Sequence, residues 1–310
     1  MFKSLCLSLF ITISSISNAQ INHTDSTVNV IAYWIKGDSD IYNISHEKYS
    51  VKDGDTSKTE LISYDAVFSI LDSTADGYSC SWKTINMKSD NENALANTII
   101  KQSDNLTLIF KANTYGTFLE VSNWEEIKRK IDQSFDALMK QFTNKPDELK
   151  RAAPMIDKFR RTYSTKEGIE TFAIDEIRIM LSFYGYAFKL GEEIEDSVKI
   201  PNAFSSIPYD ASVLVYLDEI DSVNNNYTIV RKQTVDSKQL ASTVKEFMAA
   251  SAGNNPEEKE KIMNLKNFSN EMQLGSIIHN SGWLLNGWNI KKVRLDNVET
   301  VESIFIDISH

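Results

Sequence analysis

The chain has 310 residues, of which 42% are hydrophobic and 25% are charged, a composition typical of globular proteins. It carries 33 Lys and Arg against 43 Asp and Glu, which gives a formal net charge of −10 and a pI of about 5.0. Because phosphate groups are bound by clustered cations, this balance argues against nucleic acid or an anionic membrane surface as a partner.

The first 19 residues have the features of an export signal. A positive start at Lys3 precedes an apolar run from Leu5 to Ile16, which has the length of a signal-peptide core and is too short to cross a bilayer as a mature helix. The small residues Ser17 and Ala19 then provide a peptidase site. We therefore predict cleavage between Ala19 and Gln20 and an exported protein, either periplasmic or extracellular.

The predicted mature chain contains one cysteine, Cys80, and therefore no intramolecular disulfide. A chain of this size can bury enough apolar surface to fold without cross-links, which suits a bacterial periplasm or cell exterior. After residue 19 no apolar run approaches the roughly 18 residues that a spanning helix requires, so we predict a soluble mature protein without a transmembrane segment.

Alternation of apolar and polar residues predicts an antiparallel meander from Val28 to Val121. Its clearest strand runs from Leu61 to Leu71, and in the strand that follows, Cys80 points inward as a small hydrophobic residue. Val30 to Ile35 is apolar on both faces, which predicts a strand buried between layers. Further strands are predicted at Leu106 to Ala112 and Thr117 to Val121, and hairpin turns at Asp53-Gly54 and Ala75-Asp76-Gly77.

The period changes to that of a helix at Asn123, and residues 123 to 190 are predicted as a helical block. A second helix begins near Pro146, and a third begins at Ser164 and ends near Gly191. The first and third helices each have a glutamate three residues after the predicted cap, the spacing of a capping box. The inward stripe of the first helix is Ile127, Ile131, Phe135, Leu138 and Phe142, and that of the third is Ile169, Ala173, Ile177, Leu181, Tyr184 and Phe188.

An acidic run at 192–196 and the segment from Pro201 to Pro208 predict a boundary, after which strands resume. Asp236 caps one further helix, and Asn255-Pro256 begins another, with proline at its favoured first position. The inward residues of the helix after Asp236 are Leu240, Val244 and Phe247. The predicted strands are Ser212 to Leu217, Tyr227 to Lys232, Met272 to His279, Asn289 to Leu295 and Val301 to Ile308.

This order predicts an α+β fold, because a lone meander would leave an apolar face uncovered. The fold is mainly an antiparallel β-sheet built from the N- and C-terminal parts, with a central helical insertion and a second helical pair. We predict a signal peptide at 1–19 and a single domain at 20–310. Its subdomains are a β meander at 20–122, a helical block at 123–190 and a β part with helices at 191–310. Two separate domains divided near residue 190 are the alternative.

The residue patterns of common catalytic and metal sites are absent. No two of the histidines His23, His46, His279 and His310 have the i, i+4 spacing with which a helix holds zinc. Ser45-His46-Glu47-Lys48 has the Ser-x-x-Lys spacing of penicillin-binding enzymes, but it lies in a strand-like run with no later Lys-Thr-Gly, which favours chance. We therefore predict no catalytic, cofactor-binding or metal-binding residue.

Two groups of residues have a functional interpretation beside a structural one. Trp283 and Trp288 can line a ligand surface, although aromatic residues in loops more often pin a hairpin to the core. The 43 acidic residues can include a carboxylate pair in a cleft, although an acidic solvated surface is the default interpretation.

Three segments resemble exported Bacteroidota proteins of unknown function. They are Asn18-Ala19-Gln20 at the end of the signal, Gly116 to Glu126 (GTFLEVSNWEE) and Ser281-Gly282-Trp283. The likeness is one of pattern and carries no catalytic residue. The order of predicted elements is also similar to that of periplasmic lipoprotein and lipid carriers, in which a curved antiparallel sheet with helices across its mouth holds acyl chains.

These observations predict a non-enzymatic binding or envelope-associated protein with an apolar ligand pocket between the sheet and the helices. Its candidate partners are a lipid or another apolar small molecule, or an envelope protein. A secreted hydrolase that uses carboxylates in a cleft is the alternative function.

Overall fold

The computed structural model describes residues 20–90, 104–141, 150, 153, 156–157, 160–172, 174–202, 204–253 and 255–309. Several predictions of the preceding section lie outside these residues: the export signal with Ala19, the start of the second helix near Pro146, and the stripe residues Phe142 and Ala173.

One antiparallel sheet of eleven strands dominates the described part of the chain, in the order β7-β6-β5-β4-β3-β14-β13-β12-β11-β10-β9. Its two halves meet where β3 pairs with β14, with Ile44 opposite Ile306. An antiparallel sheet that takes strands from both ends of the sequence, accompanied by helices, is thus confirmed. The strands are β3 (Ser39–Lys52), β4 (Asp55–Thr74), β5 (Gly77–Ser89), β6 (Thr107–Ala112), β7 (Phe118–Val121), β9 (Glu193–Ile200), β10 (Tyr209–Asp221), β11 (Asn226–Val235), β12 (Phe268–His279), β13 (Leu284–Leu295) and β14 (Val298–Ile308).

A second sheet of three short strands, β1 (Ile21–Asn22), β2 (Thr27–Asn29) and β8 (Ala187–Lys189), packs on the large one. The strand predicted at Val30 to Ile35 is wrong, because this segment leaves the ladder after β2. Its amides bond to loops instead: Val30 N donates to Tyr186 O, and Ala32 N donates to Tyr115 O. Its side chains alternate, with Ala32 buried and Ile35 exposed, so it is not buried on both faces.

The helices of the described residues are α1 (Trp124–Gln141), α2 (Lys166–Phe172), α3 (Asp175–Leu181), α4 (Ser237–Ser251) and α5 (Pro256–Met263). Asp236 caps α4 by accepting from Lys238 N and Gln239 N, and Asn255 caps α5, as predicted. The prediction of a single third helix from Ser164 to near Gly191 is wrong. Two short helices replace it because Ile174, with φ −131° and ψ 24°, breaks the helical backbone, and Phe188 lies in β8.

Two smaller predictions are also corrected. No strand was predicted in the acidic run at 192–196, but most of it belongs to the edge strand β9, whose exposed charges suit a strand with one unpaired side. Phe247 does not point inward from α4 and is 49% exposed, because its ring packs at a tilt against that of Phe204 outside the core, at 4.8 Å between centroids.

The core of the described residues divides into three clusters. The largest lies between one face of the large sheet and the small sheet with α2 and α3. A second lies under α4, where Leu240 and Val244 pack on Ala211 and Val235, and a third joins α1 to Ile156. We call the sheet face that carries α3 and α4 the inner face.

Candidate functional site

The helices α3 and α4 contact the inner face at different heights along the strands. A Cβ added to Gly287 would lie 3.3 Å from Ile179 Cγ2, which places α3 over the row of Ile229, Ser276 and Gly287. In contrast, α4 packs near the opposite ends of β10 and β11. Two rows of inner-face side chains lie between these contacts.

We call these two rows the inter-helix band. Directly opposed residues of neighbouring strands share a face, so the register defines each row. The first row is Val215, Arg231, Leu274, Asn289, Ile304 and His46. The second row is Val213, Gln233, Met272, Lys291, Glu302 and Lys48.

The band combines aliphatic side chains that are not fully covered with polar and charged groups. Val215, Met272 and Ile304 are each only partly buried, whereas Val213 and Leu274 of the band are buried, like the residues of the row under α3. At the β3 end of the band, Lys48 Nζ pairs with Glu302 at 2.6 Å. In the middle, Arg231 is half-buried and donates to Gln233 Oε1 at 3.0 Å.

A cluster around Glu176, in the first turn of α3, borders the band. Tyr64 OH donates to Glu176 Oε1 at 2.6 Å, and His46 Nε2 lies 2.8 Å from the same oxygen. The imidazole contact has the distance of an ion pair without the alignment of a hydrogen bond. The Glu176 side chain is only 14% exposed. Through this nearly buried carboxylate, α3 contacts His46 of β3 and Tyr64 of β4.

The contacts of this cluster determine which of its groups carry charge. Burial raises the pKa of Glu176, but the contacts with His46 and Tyr64 outweigh burial and hold the pKa below its ordinary value of 4.5. Burial, and then the charge of Glu176, raise the pKa of Asp175 above its ordinary value. Burial also raises the pKa of Tyr64 well above its ordinary value. Glu176 is therefore a carboxylate at neutral pH, and Tyr64 a neutral donor.

Two clefts outside the band flank α1. One of about 370 Å³ runs between Leu106 and Lys130, and one of about 470 Å³ lies between Trp124 and Ser164. Charged and amide side chains of α1 form much of both linings. By contrast, the space beneath α2 and α3 is filled by closely packed side chains of the core, so the candidate apolar surface is the open band rather than an enclosed pocket.

The residues singled out from the sequence occupy structural positions. Gln20 is fully buried, accepts a hydrogen bond from Tyr227 OH and donates one to Ile31 O. Cys80 is a free, buried thiol, and burial raises its pKa to about 12. His279 Nδ1 accepts from Ser281 N at the end of β12.

The two tryptophans of the β12–β13 region lie on different sides. Trp283 packs into the core, with its ring centroid 5.6 Å from that of Phe68. Trp288 lies across Gly275 of the neighbouring strand, on the sheet face opposite to the band: a Cβ on Gly275 would meet its ring at 2.1 Å. Neither residue lines the band. Sequence reasoning missed Glu176, Arg231 and Asn289, which belong to no motif.

Within the described residues, no three His, Cys, Asp or Glu side chains come together in a way that could hold a metal ion. None of the helices described in the structure combines the length and apolarity needed to span a bilayer.

Comparison with known proteins gives weak similarities. No protein-family model matches the chain, and no curated protein matches it. One solved structure, described as "lipid-protein interactions in lipovitellin", is 10% identical with a TM-score of 0.42, over 89% of this chain and 25% of that one. This chain thus spans a quarter of that protein's length. Another, a "putative exported protein with YmcC-like fold" from Bacteroides fragilis, is 8% identical with a TM-score of 0.24, over 90% of this chain and 100% of that one. Since both TM-scores are below 0.5, neither similarity assigns a ligand.

Proposed function

We propose that this is an exported, non-enzymatic binding protein that holds a small, largely apolar molecule on the inter-helix band. The observation that carries the proposal is the partial exposure of Val215, Met272 and Ile304 on the same sheet face that is closed elsewhere by α3 and α4. Covering such aliphatic groups removes apolar surface from water and contributes roughly 25 cal/mol per Å².

The surroundings of the band favour a small ligand over a protein partner. The helices α3 and α4 bound the band on two sides, and the register fixes the positions of its polar and charged groups, which are seven of its twelve residues. At its β10 to β12 end, four apolar side chains surround Arg231 and Gln233, and apolar walls with a few placed polar groups are typical of small-molecule sites.

Binding of the neutral apolar probe N-phenyl-1-naphthylamine to the full mature chain tests the proposal. We expect its fluorescence to rise on binding, and Met272→Glu to weaken binding at least tenfold, because a carboxylate would replace an aliphatic contact in the band. Gln273→Glu is the matched control, since Gln273 is the next residue of β12 and faces the other side of the sheet. Equal weakening by both variants, or no binding by the native protein, would refute the proposal. Native mass spectrometry of purified protein should show a co-purified ligand.

A hydrolase is the second candidate function, and the cluster of Asp175, Glu176 and His46 is the observation that favours it. A carboxylate beside an imidazole can orient the ring for general base catalysis. The raised pKa of Asp175 beside the lowered pKa of Glu176 gives two carboxyl groups of different acidity at one place. Screening with ester, glycoside and peptide substrates tests it, and activity that survives His46→Ala would remove this cluster from consideration.

A further inference from the structure

Arg231 is a half-buried cation in an uncharged neighbourhood. Its nearest same-face neighbours are Val215, Ile229, Gln233 and Leu274, and its diagonal neighbours are Val213, Leu217, Met272 and Ser276. Its hydrogen bond in the described residues goes from one guanidinium nitrogen to Gln233 Oε1, and no carboxylate of these residues forms an ion pair with it. The other nitrogens of the guanidinium are not enclosed. A guanidinium offers five N–H donors, so most of its capacity is unused.

This arrangement is unfavourable for folding alone. Burial lowers the pKa of Arg231 below its ordinary value, which shows that the surroundings disfavour its charge. An arginine nevertheless remains protonated at any physiological pH. Water reaches part of the guanidinium and offsets part of the cost of burying this charge, and a ligand that covers the band would have to supply an anion in place of that water.

Two polar groups without partners lie close to Arg231 on the same face. Asn289 stands in the same row, separated from Arg231 by Leu274 alone, and its Oδ1 is buried without a hydrogen bond. Two strand spacings place the two backbones about 10 Å apart, which both long side chains can bridge through one ligand group. Ser276 is diagonal to Arg231 and fully buried, and its Oγ is also unpaired. Since the amide of Asn289 can turn either end toward a ligand, it can donate to an anion.

We propose that Arg231 and Asn289 bind the anionic head group of a single-chain amphiphile, whose apolar chain lies along the partly exposed Val215 and Met272. This inference rests on the proposed function and adds the charge and shape of the ligand to it. The guanidinium binds a carboxylate or phosphate through two parallel hydrogen bonds, and the aliphatic residues on both sides of it receive the first carbons of the chain.

Three ligands with the same alkyl chain length separate the contributions of head group and alkyl chain to the affinity. Dodecanoate, dodecyl phosphate and dodecanol are titrated into the full mature protein by calorimetry. Acetate and inorganic phosphate serve as head groups without an alkyl chain. We expect the two anionic amphiphiles to bind about tenfold or more tightly than dodecanol, and the chainless anions not to bind at matched concentrations. A preference between dodecanoate and dodecyl phosphate identifies the head group.

Variants of Arg231 then test the residue. Arg231→Met should weaken the binding of the anionic amphiphiles at least tenfold and leave the affinity for dodecanol unchanged or higher. Arg231→Lys should retain part of the preference for anions. Lys232→Gln is the control, because Lys232 follows directly on β11 and lies over the ring of Tyr216 on the opposite face. It should change neither affinity.

Protein stability provides a second readout. If Arg231 serves a ligand, Arg231→Met should leave the urea unfolding midpoint of the ligand-free protein unchanged or raise it, and a structural arginine would lower it. Native-like affinity of Arg231→Met for dodecanoate, with dodecanol binding intact, would overturn the head-group assignment and leave the proposed function standing. Failure of all three amphiphiles to bind the native protein would overturn both.

Discussion

The contact of Tyr64 and His46 with Glu176 predicts a stability difference that depends on pH. Glu176→Gln keeps the shape of the side chain and an acceptor oxygen for Tyr64 OH, which lies 2.6 Å from Glu176 Oε1. A hydrogen bond to a charged group contributes roughly 1.5–3 kcal/mol, against about 0.5–1.5 kcal/mol for a neutral one. We therefore expect the variant to lose about 1–1.5 kcal/mol of unfolding free energy at pH 7.

The sign of the pH dependence follows from the lowered pKa of Glu176. A carboxylate whose pKa is lower in the folded than in the unfolded state stabilises the fold above its ordinary pKa of 4.5, and this stabilisation is lost as the pH falls through the folded value. Urea unfolding followed by circular dichroism should show the difference between native and Glu176→Gln proteins at pH 7 and its decrease toward about pH 3. A difference of equal size at both pH values would refute the charge-based explanation.

Asp175→Asn provides a control at the adjacent position with the opposite sign. The pKa of Asp175 is raised by burial and then by the charge of Glu176, so removing the Asp175 charge relieves an unfavourable interaction. Because this side chain is 57% exposed, solvent screens the effect, and we expect stability at pH 7 to stay the same or rise slightly. Destabilisation by Asp175→Asn similar to that by Glu176→Gln would indicate a general effect of helix α3.

Three further predictions concern other parts of the chain. Cys80, whose pKa burial raises to about 12, should react with a thiol reagent at pH 8 only after unfolding, and rapid reaction of the folded protein would contradict its position. Gly282→Ala should lose at least about 2 kcal/mol in urea unfolding, because its φ is +81° and a Cβ would lie 2.5 Å from Ile31 O; a near-native midpoint would show that the loop can move. The intact mass of exported protein should correspond to a chain beginning at Gln20, and a mass that retains Ala19 would place the cleavage site elsewhere.

Local structure was predictable wherever neighbouring residues determine it. Asp53-Gly54 is a two-residue hairpin turn as predicted, with φ of +52° and +90°, since a type I′ turn requires positive φ at both central positions. The alternation of apolar and polar residues from Leu61 to Leu71 predicts one inward face, and Ala66, Phe68 and Ile70 of β4 lie in the core. In each case the deciding interactions lie within a few residues of one another.

Prediction from the sequence failed where contacts between distant residues determine the structure. The apolar stripe from Ile169 to Phe188 has helical spacing, but Gly185 N bonds to Val30 O and β8 pairs with β2, so tertiary contacts end the helix early. The Arg231 site depends in the same way on pairing across four strands. One local signal was available: Arg231 has the same strand parity as the buried Tyr227 and Ile229, which places a cation on the apolar side of β11.

The width of the sheet accounts for the open band. Eleven strands at about 4.8 Å spacing extend roughly 50 Å, whereas α3, with seven residues, is about 10 Å long and α4, with fifteen, is about 22 Å long. Because these helices pack at different heights on the inner face, neither covers the rows that contain Val215 and Met272. Such positions on a solvated sheet face are usually polar, as Lys48, Lys291 and Glu302 are at the other end of these rows. The aliphatic residues, together with the unpaired Arg231 among them, therefore favour a face that is completed by a ligand.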